Sequence, residues 1–124
     1  MLMNDFYTVV KQESGDGLIN ATICFNKEHS IFKGHFPGLP IVPGVCMVQL
    51  TRELVEQVTT QSLQLTTADS IKFLSVINPE INPEVNIKIT YLLQQHEHVV
   101  QATISLESTI FFKFKGAFVK HGYN

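Results

Sequence analysis

The sequence has few of the residues that mark several large classes of protein. Only two of its 124 residues are cysteines, and none is tryptophan. Two cysteines are too few for a disulfide scaffold, and the spacing of Cys24 and Cys46 fits no zinc-binding pattern. The first residues show no basic region followed by an apolar core, as a signal peptide would, and no apolar run approaches the ~18 residues that a membrane span needs. We therefore expect a cytoplasmic protein with reduced thiols and no membrane partner.

Charge is also scarce, and this excludes a further class. Charged residues make up 16% of the chain and the net charge is −2, so the basic excess of a nucleic-acid-binding protein is missing. Apolar residues, in contrast, make up 44%, and nine residues are phenylalanine. This balance excludes intrinsic disorder and predicts one folded domain over residues 1–124, since single cores usually take roughly 100–150 residues. In so small a domain, part of the apolar surface is available for a partner subunit.

Hydrophobic periodicity predicts one long helix among antiparallel strands. Pro43 is a favourable first helical residue, and apolar residues recur at helical spacing as far as Val58, so a helix is predicted from about Pro43 to Val58. Gln49 and Glu53 fall in its polar stripe. One helix cannot cover six strands as a broad layer, so the sheet should curl around it. The predicted strands before the helix are 6–10 and 18–25, with a turn at 15–17 between them. Those after it are 68–77, 85–93, 101–106 and 110–119.

The segment 33–44 carries the residues most suited to chemistry. Pro37, Pro40 and Pro43 stiffen it into an extended loop. It contains His35, whose side chain titrates near neutral pH and can act as a base. The segment ends at the Pro43–Gly44 step, where free backbone N–H groups and the positive end of the helix dipole can stabilise an oxyanion. A base next to such a helix start suits a reaction beside a carbonyl group.

This segment contains His-Phe-Pro-Gly-x-Pro-x-x-Pro-Gly at positions 35–44. It thereby resembles the 3-hydroxyacyl-acyl carrier protein dehydratases, which have the hot-dog fold. Ile71-Lys72-Phe73, followed by Val76 and Pro83, resembles the core strand and the next turn of that family, and the resemblance covers nearly the whole chain. It implies an α+β hot-dog domain, with a curled antiparallel sheet around one long helix. It also implies a homodimer with both active sites between the subunits; a higher oligomer, or a heterodimer with a catalytically complete subunit, is compatible with it.

The resemblance implies a reaction and a role for several residues. A 3-hydroxyacyl thioester on an acyl carrier protein would lose water to give the trans-2-enoyl thioester, in fatty-acid or related lipid or polyene synthesis. His35 would take the proton from C2, the backbone N–H of Gly44 would polarise the thioester carbonyl, and the carbonyl of Phe36 would orient the imidazole. No cofactor or metal is required. The substrate-binding residues that the resemblance implies are Phe36, Pro37, Gly38, Pro43, Val45 and Glu53.

The chain departs from the family at the fourteenth position after His35. The family has an acidic residue there, on the helix of the other subunit, which handles the leaving hydroxyl; this chain has Gln49. A carboxamide can orient a hydroxyl or a water, but it cannot donate and recover a proton near pH 7. Glu53, one helical turn further on, could take over only if the substrate or the helix shifted by about 5–6 Å.

Three alternatives therefore stay open. His35 alone could perform a one-base elimination, with Gln49 binding the hydroxyl or a water. The protein could instead be a hot-dog thioesterase, in which polar residues around a helix start orient a water. It could also be a catalytically silent subunit or a module that binds the acyl carrier protein.

Binding to an acidic acyl carrier protein requires a positive patch. Lys33, directly before the motif, is the first candidate, and Arg52, Lys113 and Lys115 are further candidates. The alternative is that these side chains only solubilise the surface.

Two other candidate sites have simpler explanations. Cys46, in the first turn of the helix, could form a nucleophilic pair with His35, but we interpret it as a small buried apolar residue. His96 and His98 flank Glu97 in a predicted turn. Because a third ligand is missing, we interpret these residues as a solvated turn rather than a metal site.

Overall fold

The computed structural model describes residues 1–34, Gly38 and 40–122. None of the helices in this part of the chain is long and apolar enough to cross a membrane. The elements are β1 (Tyr7–Gly15), β2 (Leu18–Phe25), α1 (Ser30–Gly34), α2 (Gly44–Thr59), β3 (Leu63–Phe73), β4 (Glu84–Gln94), β5 (Glu97–Leu106) and β6 (Thr109–Lys120).

The strands form a six-stranded sheet in the order β1-β2-β4-β5-β6-β3, and every neighbouring pair is antiparallel. The sheet is not closed, so β1 and β3 are its two edges. Alternate residues such as Val85, Ile87 and Ile89 of β4 are buried, while those between them are exposed. One face of the sheet therefore packs into the core with α2, and the other face is polar. The predicted combination of one long helix with an antiparallel sheet is confirmed.

Helix α2 lies close to its predicted range. Pro43 is the residue before the first helical residue, with an extended backbone (φ −63°, ψ 144°), rather than the first helical residue itself. The side chains of Leu50, Leu54 and Val55 are fully buried, and burial of each contributes roughly 1.5–3 kcal/mol. The helix ends where Thr60 adopts a left-handed conformation and its backbone N–H donates to the carbonyl of Glu56.

Four elements differ from the predictions. Strand β1 continues to Gly15 rather than ending at Val10, and β5 begins at Glu97 rather than near Gln101, because each pairs along its length with a neighbouring strand. The strand predicted at 68–77 is β3, which begins at Leu63 and ends at Phe73. Its first half is polar, yet it is a strand because it pairs along its length with β6, from Leu63 opposite Lys120 to Phe73 opposite Phe112. The short helix α1 was not predicted; it brings Phe32 onto the ring of Phe6, with centroids 5.0 Å apart.

The interpretation of residues 96–98 as a solvated turn is wrong for His98. The turn is Gln95–His96, where both residues have a positive φ, and β5 already begins at Glu97. The ring of His98 is 7% exposed, and its Nε2 lies 3.0 Å from Oε1 of Gln61. Within residues 1–34, 38 and 40–122, no group of three His, Cys, Asp or Glu side chains could hold a metal ion.

Candidate active site

The start of α2 has two backbone donors without an acceptor among the described residues. The N–H groups of Gly44 and Val45 donate to no acceptor in the part of the chain that the structure describes. The ring of Phe73 lies against Gly44, so that a Cβ added there would be 2.6 Å from Cζ of that ring. Glycine is therefore the residue that fits at the first helical position without displacing Phe73.

The same helix start lies beside exposed apolar residues. The backbone N–H of Val42 donates to the carbonyl of Ile77 across 2.9 Å, which holds the segment after β3 next to the segment before α2. Val45 is 74% exposed and Phe73 is 55% exposed. Exposed apolar patches of this kind are typical of surfaces that bind a partner or a ligand. The other exposed large apolar residues of this region are Leu74, Val76 and Ile81.

Gln49 and Glu53 are directly joined on one side of α2. Nε2 of Gln49, which is half-buried, donates to Oε2 of Glu53 across 3.0 Å. The same Oε2 accepts the backbone N–H of Leu2 at 2.8 Å. Oε1 of Glu53 accepts the backbone N–H of Met3 at 2.9 Å and the hydroxyl of Tyr7 at 3.0 Å. Glu53 itself is completely buried.

These contacts decide the protonation of Glu53. Burial by itself raises the pKa of this carboxyl, but the hydrogen bonds from Leu2, Gln49, Met3 and Tyr7 together lower it below its ordinary value of 4.5. Glu53 is therefore ionised at neutral pH and has no proton to give to a leaving group. Burial raises the pKa of Tyr7, and the nearby charge of Glu53 raises it further, so Tyr7 stays protonated as a donor.

Cys46 fits the apolar interpretation. It is 6% exposed, and burial, with an additional contribution from the charge of Glu53, raises the pKa of its thiol. A nucleophilic cysteine needs the opposite shift.

The remaining predicted site residues belong to the segment before α2 and to the first turn of that helix. His35, Phe36 and Pro37 lie outside the described residues. Gly38 is exposed and has a φ of 83°, a conformation that favours glycine. Pro43 and Val45 flank the helix start described above.

The four candidate cations for carrier binding do not share one face. Lys33 is exposed in the last turn of α1, just before the motif. Arg52 lies on α2, where its Nε is 3.8 Å from Oε1 of Glu56. Lys113 and Lys115 alternate with inward-facing phenylalanines of β6, so they lie on the outer face of the sheet, opposite α2.

Known structures with the same arrangement of elements define the class: this is a hot-dog domain. The dehydratase heterocomplex ApeI:P from Xenorhabdus doucetiae superposes with a TM-score of 0.74 at 15% identity, covering 90% of this chain and 96% of that chain. A hypothetical thioesterase with coenzyme A from Streptococcus pneumoniae superposes with a TM-score of 0.63 at 16% identity, covering 95% of this chain and 88% of that chain. The predicted fold is confirmed.

The family follows from the sequence itself. The model of the ApeI-like family, described as ApeI dehydratase, matches residues 11–115, and the chain belongs to that family. It is 30% identical over 95 residues to the 3-hydroxyacyl-[acyl-carrier-protein] dehydratase FabZ of Caulobacter vibrioides, a match that covers 75% of this chain and 55% of the relative. It is 33% identical over 86 residues to FabZ of Dinoroseobacter shibae, covering 68% and 50%. The chain thus spans about half the length of these curated relatives.

Proposed function

We propose that this protein removes water from a 3-hydroxyacyl thioester carried by an acyl carrier protein and yields the trans-2-enoyl thioester. The observation that carries the proposal is the start of α2: the N–H of Gly44, which has no acceptor among the described residues, closely follows His35 in the sequence. Membership of the ApeI-like dehydratase family and the similarity to FabZ proteins support it. The product would enter fatty-acid synthesis or a related lipid or polyene synthesis.

In the proposed reaction His35 takes the proton from C2 of the substrate. The electron pair of that C–H bond forms the C2=C3 double bond, and the C3–O bond breaks. The N–H of Gly44 stabilises the negative charge that develops on the thioester oxygen. The hydroxyl leaves as water after receiving a proton from the imidazolium of His35, so one residue serves first as base and then as acid. The carbonyl of Phe36 holds the imidazole in orientation.

Gln49 takes part in this scheme as a hydrogen-bonding group rather than as an acid. Its amide has no ionisable proton near pH 7. Glu53 cannot replace the missing acid, because its carboxylate is ionised, buried and already accepts four hydrogen bonds. These facts favour the one-base elimination over a two-residue mechanism.

We propose that the site is completed in a dimer. Strand β3 is a free edge of the sheet, and its side chains Leu65 and Ile71 are 43% and 39% exposed. Free edges invite pairing with another strand, and the exposed apolar residues around Phe73 lie beside that edge. A homodimer satisfies both features. The rival is a heterodimer with a different subunit, since the similar structure from Xenorhabdus is a heterocomplex.

A direct assay tests the function. The purified protein is incubated with a 3-hydroxyacyl chain on an acyl carrier protein and, separately, on coenzyme A, and enoyl product and free thiol are both followed. We expect enoyl product, abolished by His35→Ala and kept by His121→Ala, whose ring is exposed at the far end of β6. Free thiol without enoyl product would identify a thioesterase. Binding of the acyl carrier protein without turnover would identify a silent subunit.

The substitution Gln49→Glu distinguishes a site that has only lost its acid from a site that performs a one-base elimination. If the glutamine merely replaces a lost acid, the substitution raises the rate of dehydration. If Gln49 has its own role in a one-base elimination, the rate falls, as we expect. Gln49→Ala is the matched control, since it removes the amide without adding a carboxyl.

The location in the cytoplasm stays a prediction from the sequence.

A further inference from the structure

We propose that Glu53 is a positioning residue, which fixes the side-chain amide of Gln49 so that its carbonyl oxygen is the group offered to the 3-hydroxyl of the substrate. The inference rests on the proposed dehydration, since that reaction supplies the hydroxyl. Glu53 lies outside the sequence motif at positions 35–44, and the inference gives its buried carboxylate a role in the reaction.

The argument begins with the donors around Glu53. The backbone N–H groups of Leu2 and Met3, at 2.8 and 2.9 Å, can only donate. The carboxylate that receives them is ionised, and an ionised carboxylate can only accept. Gln49, at 3.0 Å from the same group, must therefore present its NH₂ side to Glu53. The orientation of the amide is set by the charge of its neighbour.

Once Nε2 is engaged, the other end of the amide is determined. Oε1 of Gln49 points away from Glu53, and it accepts no hydrogen bond from the residues that the structure describes. Gln49 is half-buried, so this oxygen is within reach of a ligand. Without Glu53 the amide could turn over and offer its NH₂ group instead, because the two ends have nearly the same shape.

The anchor of this arrangement does not move easily. Glu53 is held from both sides, by Gln49 one turn earlier on α2 and by the first residues of the chain, which are 50 and 51 positions away in sequence. Its carboxylate is completely buried. An amide fixed before the substrate arrives loses little rotational freedom on binding, which favours the reacting geometry.

An acceptor in this position suits the proposed elimination. If the 3-hydroxyl donates its hydrogen to Oε1 of Gln49, its lone pairs are left for the proton that converts it into water. If the amide were turned over, its NH₂ group would compete for those lone pairs. The same arrangement explains why Gln49→Glu should lower the rate: the ionised Glu53 would hold the new carboxyl protonated, and its proton would be donated to Glu53 rather than to the substrate.

Glu53→Gln tests the inference, with Glu56→Gln as a matched control. Both change a carboxylate of α2 that accepts a backbone N–H; in Glu56 the donor is Leu63, at 2.7 Å. We expect Glu53→Gln to lower kcat about tenfold, the effect of one well-oriented hydrogen bond, with KM changed by less than about twofold. Glu56→Gln should lower the midpoint of thermal unfolding and leave kcat unchanged.

A double-mutant cycle separates positioning from a general loss of structure. In a Gln49→Ala background there is no amide to orient, so Glu53→Gln should lower kcat no further. If Glu53→Gln lowers kcat equally in both backgrounds, Glu53 acts through the fold alone and the inference is overturned. Should Glu53→Gln not fold, Glu53→Asp keeps the charge but withdraws it from Gln49, and the same cycle applies.

Nuclear magnetic resonance of the wild-type protein needs no turnover. The side-chain NH₂ signal of Gln49, assigned by its loss in Gln49→Ala, should shift as Glu53 titrates, with a midpoint below 4.5. If the chemical shift of this signal does not change as Glu53 titrates, the positioning role is overturned even if dehydration is observed. A signal that follows it, in a protein that forms no enoyl product, keeps the positioning role and rejects the proposed function.

Discussion

Phe73, the last residue of β3, places its ring directly on Gly44, the first residue of α2. A Cβ at Gly44 would meet Cζ at 2.6 Å and Cε1 at 2.7 Å of that ring. This contact joins the edge of the sheet to the helix start. The edge is the surface expected to bind a second subunit, and the helix start holds the N–H expected to bind the thioester, so the two are in direct contact.

Gly44→Ala should therefore damage the site more than the fold. The added methyl group must push away the Phe73 ring, which is 55% exposed and can turn. We expect a loss of about 1 kcal/mol in the free energy of unfolding and a loss of about tenfold or more in kcat/KM. Gly15→Ala is the control, since a Cβ there has no atom within 4 Å. Equal activity in both variants would contradict a role for this helix start.

A charge on the free edge of β3 should prevent dimer formation. Leu65→Asp and Ile71→Asp each place a carboxylate on an exposed apolar side chain of that strand. We expect monomers by analytical ultracentrifugation and a parallel loss of activity. Leu92→Asp is the control, because Leu92 is 59% exposed but lies on β4 inside the sheet. Dimers in the β3 variants would show that another surface joins the subunits.

Mixing the inactive variant His35→Ala with the weakened variant Gln49→Ala tests whether each site is shared between subunits. If His35 and Gln49 of one site come from different chains, a hybrid of His35→Ala and Gln49→Ala subunits contains one intact site. Random exchange should then restore about a quarter of the wild-type activity. No recovery, with hybrids confirmed by mass spectrometry, would place both residues of a site on one chain.

Lys33 should influence carrier-linked substrates selectively. Lys33→Glu places a negative charge next to the loop that an acidic carrier protein must approach. We expect KM to rise about fivefold, equivalent to about 1 kcal/mol, with the carrier-linked substrate and to be unchanged with the coenzyme A thioester. Lys11→Glu, on β1, is the control. A larger effect at Lys113 than at Lys33 would place the carrier on the outer face of the sheet.

His98 should make the protein less stable in mild acid. Burial lowers the pKa of His98 below its ordinary value of 6.5. Its Nδ1 is buried and has no hydrogen-bond partner in the described part of the chain, so a proton added there has no acceptor. The unfolded chain therefore takes up a proton that the folded chain refuses, and the free energy of unfolding falls as the pH falls below 6.5.

His98→Gln should flatten this dependence, because an amide does not titrate. Urea unfolding at pH values on both sides of 6.5 measures the slope, and His121→Gln, at an exposed ring, is the control. An unchanged slope in His98→Gln would assign the acid sensitivity to other groups.

Local patterns were sufficient for the elements that have a regular period. The apolar face of α2 and the alternation of β4 are visible in the sequence because both follow from the geometry of single elements. Pro43 and Gly44 marked the helix start to within one residue. The motif around His35 gave the family, which the match to residues 11–115 confirms.

Glu53 shows what such patterns miss. It falls on the polar stripe of α2, which normally faces water, yet it is fully buried because the first residues of the chain cover it. The covering residues lie 46 to 51 positions away, and nothing local in the sequence records the contact. The polar start of β3 was missed for the same reason: its pairing with β6 is a long-range contact.

The buried thiol of Cys46 can report on binding and movement at the start of α2. The thiolate is the form that attacks thiol reagents, and a thiol that is 6% exposed with a raised pKa reacts only when the first turn of α2 opens. In a Cys24→Ser variant, Cys46 is the one thiol of the chain. The rate at which it is labelled then measures how often that turn opens. Substrate, a second subunit or a carrier protein that covers the helix start should each slow the labelling of Cys46. Binding at the site can therefore be measured before any product is formed.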